Sequence, residues 1–488
     1  MNNICVKKLN GWGTYGILLI VAFLFVFLFS TTTSPLYLNN PFWWMGDSGI
    51  FQEFGLLLLE GGTPYIDIFD HKGPVLFFIQ ALGLGINRTW GLCLLQTMSL
   101  AIALFFMKKI MSLFDVRGLV SYLLLLLILF FLFSYYERGN LCEEWCLPYL
   151  CYTFYIFLRY IVKESKISTW EYFICGLCLG MIFFIRANNA VPLIGLLLYF
   201  LYDRIKKKDV FLITDILKMI GGFTIVCIPI LFFYYNKAGV TGIEEMIYGT
   251  FLFNFDYVTK SIDLGTWKNI VYYSSIASFS LLTLLLFPKV NAKLFIPLVA
   301  SYLCCGFAIG GFKALHYLQI FIPLYIVTLC LLVNQGNKWL WLLLVIPIAH
   351  SVSGGYSSFD RLIVKLRGIE VPRNSHDDFH RFVVSLPEHE RTEIYNLYGY
   401  PLYFFVEEDL VQCNRFVMSR HLDLSPRLRT YDEIHSIAER KPTWVLANDL
   451  SSLNRENKQY LINNYIITDS IIGNFDLGYV YCYRRNDK

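Results

Sequence analysis

The stretch PVLFFIQALGLGI, Pro74–Ile86, decides how this chain is threaded. It is apolar but only 13 residues long. At about 1.5 Å of rise per residue it reaches roughly 20 Å, against a hydrocarbon core of about 30 Å. It is therefore expected to form an interfacial or re-entrant helix that returns the chain to the side it came from. The charges on either side choose the same register. If this run does not cross, Lys108, Lys109 and Arg117 fall on the cytoplasmic side. Lys163 and Lys166 join them, then Arg204, Lys206, Lys207 and Lys208, then Lys289 and Lys293, and Lys338. A crossing would turn all of these short basic connections outward, against the positive-inside bias.

Composition agrees with a membrane protein. Of 488 residues, 56% are hydrophobic and 16% charged, where a soluble domain is nearer one quarter charged. Lys7 and Lys8 precede the first apolar run, 17–29, which reads as an uncleaved helix with a cytoplasmic N-terminus. The expected spans are 16–34, 91–107, 118–135, 147–162, 170–186, 190–203, 213–235, 270–287, 294–310, 317–333 and 338–352. The fold class is a polytopic α-helical membrane protein of about 11 transmembrane helices. Residues 1–352 form the transmembrane module, with a large first outer loop at 35–89 that contains juxtamembrane helices.

After residue 352 charges become frequent, and 353–488 reads as a small extracytoplasmic α/β domain. Segments 394–400, 402–406, 443–447 and 479–483 read as strands, and 429–440 and 452–463 as helices. Cys413 and Cys482 are its two cysteines, and sequence leaves their pairing open. The net charge of +4 and the scattered basic clusters exclude a nucleic-acid binder.

On this topology the polar residues gather on the outer side. The first outer loop holds Asp47, Glu53, Asp67, Asp70, His71, Lys72 and Arg88. The second holds Glu137, Arg138, Glu143 and Glu144, the third Arg186, Asn188 and Asn189, and the fifth Lys313, His316 and Tyr317. The fourth, with Glu244, Glu245, Asn254, Asp256 and Lys260, reads as an ordinary wet loop. Ionisable groups abutting apolar sequence at membrane depth are costly and mark function. A carboxylate serves as general base toward an acceptor hydroxyl, while Lys and Arg neutralise a phosphate leaving group. That mixture suits transfer of a sugar from a polyprenyl-phosphate carrier at the outer membrane face.

Several motifs carry a resemblance. The first loop reads Gly46-Asp47-Ser48-Gly49, then Leu59-Glu60-Gly61-Gly62-Thr63-Pro64-Tyr65, then Asp70-His71-Lys72-Gly73-Pro74-Val75-Leu76. Further on come Gly139-Asn140-Leu141-Cys142-Glu143-Glu144, Ile185-Arg186-Ala187-Asn188, and Lys313-Ala314-Leu315-His316-Tyr317 with Pro323. The chain resembles the bacterial GT-C glycosyltransferases, relatives of the dolichyl-phosphate-mannose protein mannosyltransferases and the lipid A aminoarabinose transferases. Those proteins carry an early Asp, then G-x-x-Y, then K-P-P-L or H-P-P-L opening a non-spanning helix. The departures are Asp47-Ser48 for Asp-Glu, Gly73 for the first Pro of K-P-P, and Ala187 for the Pro of Arg-Pro-Asn. The first bears on the acceptor, because protein O-mannosylation is tied to the Asp-Glu form.

The resemblance implies roles residue by residue. Asp47 is the expected catalytic base, with helix N-capping as the structural alternative. Lys72, Arg88 and Arg186 are expected on the donor phosphate. Arg138, Glu143, Glu144, Asn188, His316, Tyr317 and His71 are expected at the substrates. Asp67 and Asp70 are candidate ligands for a divalent metal ion, on a spacing that matches no specific motif. The implied partners are a polyprenyl-phosphate sugar donor, a glycan, lipid or protein acceptor, and membrane lipids. The implied location is the bacterial inner membrane. The competing readings are an envelope polysaccharide polymerase and a multi-pass transporter or flippase. No internal repeat is visible, which argues against the transporter.

Overall fold

The computed structural model describes residues 11–38, 46–255, 278–286, 291–309, 315–335, 338–368, 374–397, 402–416, 433–448, 450, 455–472 and 478–486. The expectations placed on Lys7, Lys8, Asp256, Lys260, Lys289, Lys313 and residues 270–277 lie outside them. Among the described residues the architecture is mostly helical, with one four-stranded sheet. The first nine helices are α1 (Gly11–Phe29), α2 (Asp47–Leu59), α3 (Pro74–Ile86), α4 (Gly91–Leu113), α5 (Gly118–Tyr135), α6 (Cys142–Lys163), α7 (Thr169–Arg186), α8 (Ile194–Lys206) and α9 (Leu212–Ile247). Helix α9 is kinked at Ala238 and Gly239.

Among the described residues, five helical runs are long and apolar enough to cross a membrane, including Gly91–Leu113, Cys142–Lys163 and His316–Gln335. Shorter apolar helices at Gly13–Phe29, Gly118–Phe133, Ala292–Ala308 and Trp339–Ala349 coincide with four more expected spans. The expected non-crossing run forms α3 with the bounds read from sequence. Pro74 stands at its first turn, where the missing N–H costs nothing. The helix expected to end at residue 352 continues to Leu366.

The chain divides into two compact units. The helical unit comprises Met1–Leu36, Leu92–Phe233 and Ser261–Arg367. Within it α6, α7 and α8 form two consecutive antiparallel hairpins. Glu143 at the start of α6 meets Arg186 at the end of α7, and Arg159 late in α6 meets Glu171 early in α7. Arg204, late in α8, then donates to the Tyr172 hydroxyl, early in α7, at 2.8 Å. The apolar stretch 169–206 is thus a hairpin, reversing through a 3-10 segment, Ala187–Leu193, that contains Pro192. Ser168 starts α7 with a reciprocal capping box to Glu171.

The basic residues cluster at one end of this bundle. There Arg204 pairs with Asp209 and Asp215, Lys207 with Asp203, Lys163 with Asp115, and Lys293 with Glu164. The expected cytoplasmic lysines and arginines of several connections therefore share one face of the unit.

The mixed unit comprises Tyr37–Gly91, Tyr234–Lys260 and Gly368–Lys488. Helices α2 and α3 pack together, with Phe54 stacked on Phe77 at 4.2 Å. The sheet holds β1 (Ile394–Leu397), β2 (Trp444–Ala447), β3 (Tyr465–Ile472) and β4 (Tyr479–Arg485) in the order β1-β2-β4-β3. β1 and β2 pair in parallel, and the other pairs are antiparallel. Both sheet faces bury cores, one around Phe379, Trp444 and Val480, the other around Ile437, Val445 and Tyr483.

The structure corrects two readings. Segment 402–406, read as a strand, lies in a helix, Leu402–Glu407, that inserts Phe404 and Phe405 into the first core. A five-residue apolar run carries no period that separates the two forms. Strand β3 was not expected, because only Tyr465 and Ile471 along it are buried and the period-two signal is missing. Cys413 and Cys482 are free.

Glu53 of α2 is fully buried and accepts the Gln412 backbone N–H at 3.1 Å. Burial, partly offset by that N–H and reinforced by Glu60, pushes its carboxyl up to about 8. The folded unit thus holds a proton that the unfolded chain releases near 4.5. Stability is full below that value and is lost as pH rises toward about 8, with a slope approaching about 1.4 kcal/mol per pH unit. Glu53→Gln is expected to flatten this dependence. Melting the full chain at pH 5, 6, 7 and 8 tests it, and equal slopes in both proteins would count against a protonated Glu53.

Candidate functional site

The end of the helical unit opposite the basic cluster gathers residues from three expected outer loops. Arg186 donates from Nη1 to Glu143 Oε1 at 2.5 Å, and its guanidinium lies 4.2 Å from the centre of the Tyr317 ring. Glu143 is almost wholly buried, with 1% of its side chain exposed. Such a charge is tolerable in apolar surroundings only beside its counter-charge. His316 places Nδ1 at 2.7 Å from Glu137 Oε2 and donates its backbone N–H to the other oxygen. Glu137 is thus engaged by His316.

Glu143 and Glu144 part company. Glu144 accepts from Gln96 Nε2 at 2.9 Å, from the Tyr136 hydroxyl at 3.0 Å and from the Asn140 N–H at 2.7 Å. Gln96 is held in turn by Ser30 and Thr33. This saturated carboxylate fixes the turn ahead of α6. In that turn Glu137, Arg138 and Asn140 all have positive φ, at 39°, 90° and 62°. Each non-glycine residue held there costs about 1–3 kcal/mol, so such strain persists only where surroundings enforce it. The half-buried Arg138 rides on this turn, and burial lowers the proton affinity of its guanidinium. Asn188 is exposed, whereas the neighbouring Asn189 is buried.

The mixed unit carries the first-loop motifs. Asp47 is the first residue of α2, half-buried, behind Gly46. The backbone of Gly46, at φ 52° and ψ −134°, is one that side chains resist, and it turns the chain abruptly into the helix. The N-cap is Gly46 rather than Asp47, and no side chain caps the helix. Asp70, His71 and Lys72 are all buried. Asp70 Oδ1 approaches His71 Nδ1 at 3.1 Å, and Lys72 Nζ lies 3.1 Å from His71 Nε2. The Lys72 ammonium also lies 5.7 Å from the Phe51 ring centre.

This loop is pinned by a segment that sequence reading passed over. Residues Tyr248–Leu252 form a π-helical turn, a feature frequent at functional sites. From it Thr250 donates to the Tyr65 hydroxyl, which donates to the Lys72 carbonyl at 2.5 Å. Asn254 donates to the His71 carbonyl at 3.1 Å. A Cβ at Gly249 would stand 2.4 Å from Tyr65 Cδ1. Gly249→Ala is accordingly expected to displace Tyr65 and lower the melting temperature by several degrees, as overpacking costs about 1–3 kcal/mol. An unchanged melt would show that the ring yields freely.

Arg88 and Asp67 have partners of their own. Arg88 is half-exposed and pairs with Asp409 at 3.3 Å. Asp67 accepts the Thr63 N–H at 2.6 Å, closing its own turn, and Asp70 faces His71. Among the described residues no group of three or more His, Cys, Asp or Glu side chains is arranged to hold a metal ion.

Comparison with known proteins agrees with the resemblance. The sequence profile of the dolichyl-phosphate-mannose-protein mannosyltransferase family matches residues 71–233, a third of the chain. No curated protein sequence matches. The chain shares its fold with ArnT from Cupriavidus metallidurans in the crystal structure bound to undecaprenyl phosphate. The TM-score is 0.57 at 11% identity, covering 97% of this chain and 98% of that one. The apo crystal structure of the same ArnT gives 0.55 at 11% identity over the same shares. At 11% identity the likeness to the ArnT structures is one of fold.

Proposed function

We propose that this protein is a membrane glycosyltransferase that moves a sugar from a polyprenyl-phosphate donor to a glycan, lipid or protein acceptor on the outer face of the membrane. The observation that supports it most is the sorting of charge along the helical unit. Glu137, Arg138, Glu143, Arg186, His316 and Tyr317 share one end, and the lysine-rich connections share the other. By the positive-inside rule the first end faces outward. Eleven passes, an inner-membrane location and an extracytoplasmic 353–488 segment belong to the same reading.

The reaction is a single displacement. The acceptor oxygen or nitrogen attacks the anomeric carbon, Asp47 takes its proton, and the bond from that carbon to the phosphate oxygen breaks. One displacement with one base inverts the anomeric centre. In the mixed unit Lys72 and Arg88 are the candidates for neutralising the phosphate as it leaves; in the helical unit the candidates are Arg186 and Arg138. Glu143 holds Arg186. Tyr317 and His316 contact the sugar, and Asn188 and its neighbour Asn189 supply amide groups. Undecaprenyl phosphate bound to ArnT supports the lipid class of the donor.

The test supplies the purified protein with envelope extract and one sugar at a time, linked either to polyprenyl phosphate or to a nucleotide. Time-dependent release of free polyprenyl phosphate from the lipid-linked donors alone is the expected result. Turnover of the nucleotide sugars alone would overturn the proposal.

A further inference from the structure

Buried backbone groups need partners, and a loop without regular structure must find them elsewhere in the chain. Phe69 leads into Asp70, His71 and Lys72 and is buried with them. It donates its N–H to the Arg415 carbonyl at 2.6 Å and forms an isolated parallel bridge with Phe416. The rings of Phe69 and Phe416 lie 5.7 Å apart. Just before Phe69, the Asp67 carbonyl accepts from Arg440 Nη2 at 2.8 Å, although these residues stand 373 apart in sequence. Arg440 Nη1 donates to the Cys413 carbonyl, also at 2.8 Å. One guanidinium thus clasps the first loop to segment 412–416. At the start of that segment Gln412 donates its N–H to Glu53, on the helix that Asp47 begins.

The same segment is fastened to the sheet. Cys413 donates its N–H to the Ile394 carbonyl at 2.9 Å, and the Asn414 side chain exchanges two hydrogen bonds of 2.7 Å with the Asn396 backbone. Ile394 and Asn396 belong to β1, at one edge of the sheet. Segment 412–416 is therefore a strap that joins the sheet to α2 and to the first loop, all within the mixed unit.

We infer that the strap and Arg440 are positioning residues for the donor, holding the loop that carries Lys72 and the helix that starts at Asp47. The inference rests on the reading of the first loop as part of the donor site. It makes the C-terminal region a functional part of that site and not only its cover. Ordering a free loop costs about 1–2 kcal/mol of backbone entropy per residue, and a loop ordered in advance spares binding that cost. Arginine suits the clasp, because its planar fork reaches two carbonyls at once, whereas the lysine ammonium is a point charge on a flexible stem.

The test follows amide exchange across residues 66–72 and binding of polyprenyl phosphate, both in the purified full-length protein. Exchange in β2 in the same samples reports opening of the whole domain. Arg440→Lys keeps the charge and loses the fork. It is expected to speed exchange across 66–72 about tenfold and to weaken binding about three- to tenfold, with β2 unchanged. Arg440→Met is expected to do more of both. Glu390→Gln is the control, since Glu390 holds Trp444 and Arg484 on the sheet. It is expected to lower the melting temperature and to leave loop exchange and binding near wild type. Wild-type exchange across 66–72 in both Arg440 variants would overturn the inference. So would equal changes in Glu390→Gln, which would trace them to the stability of the domain. Faster loop exchange with unaltered binding would leave the clasp standing and remove the first loop from the donor, and with it the reading beneath the inference.

Discussion

Asp47→Asn is expected to lower turnover by about a thousandfold while leaving the donor KM within about threefold, since a positioned general base contributes about 10²–10⁴ in rate. Asn keeps the shape of the side chain at the head of α2 and removes its negative charge and its capacity to accept a proton. The local backbone favours a clean result. Gly46 provides the unusual turn into the helix, and α2 has no side-chain cap, so Asp47 is not the residue that starts it. A fall in kcat without a fall in melting temperature is the pattern expected of a base. A variant that stays within tenfold of the wild type would remove Asp47 from the chemistry. Attention would then pass to Glu143, whose carboxylate at the other cluster is already engaged by Arg186.

The second large effect concerns that pair. Arg186→Ala leaves Glu143 buried without its counter-charge, an arrangement that costs about 3–5 kcal/mol when one member of a buried pair is removed. The hairpin of α6 and α7 is expected to lose much of its stability, and the donor KM is expected to rise. Glu143→Gln combined with Arg186→Gln should recover most of the stability and none of the donor affinity. That split distinguishes a structural ion pair from one that also serves the phosphate. Recovery of both would make the pair structural only. Melting and donor kinetics on the three variants decide it.

Much of this was legible in sequence because physical lengths are unforgiving. Thirteen largely apolar residues that begin with a proline formed the short helix expected of them, with the expected bounds. The separation of polar from basic connections followed from the same register, and α6, α7 and α8 turn back on one another in a way that preserves it. The adjacent pair Glu143 and Glu144 was not separable by charge alone. A signal was present, since Glu144 stands three residues after Leu141, the spacing at which a carboxylate reaches back to a helix start. The ion pair of Glu143 and Arg186 joins residues 43 apart. It becomes visible once α6 and α7 are taken as an antiparallel hairpin, because such hairpins bring first and last turns together.

Other parts had no signal to find. The Tyr248–Leu252 turn lies in a segment read as an ordinary loop, and Thr250 and Asn254 are short polar residues that composition does not distinguish. Their work on Tyr65, His71 and Lys72 depends on a π-helical turn and on the space left by Gly249. Asn189 rather than Asn188 is the buried amide, a choice made by one residue of phase in a 3-10 segment. In the C-terminal region the helix Leu402–Glu407 and the strand β3 were misread or missed for related reasons. One is too short for its period to show, and the other is an edge strand with few buried side chains.

The claim that a sugar leaves its carrier phosphate by displacement at the anomeric carbon has a direct measurement. A polyprenyl-phosphate sugar is prepared with oxygen-18 in the bridge between the sugar and phosphorus, and the purified protein is given acceptor. The account predicts that all of the label stays in the released polyprenyl phosphate and that the product has the opposite anomeric configuration. Label carried into the product, or a retained configuration, would contradict it.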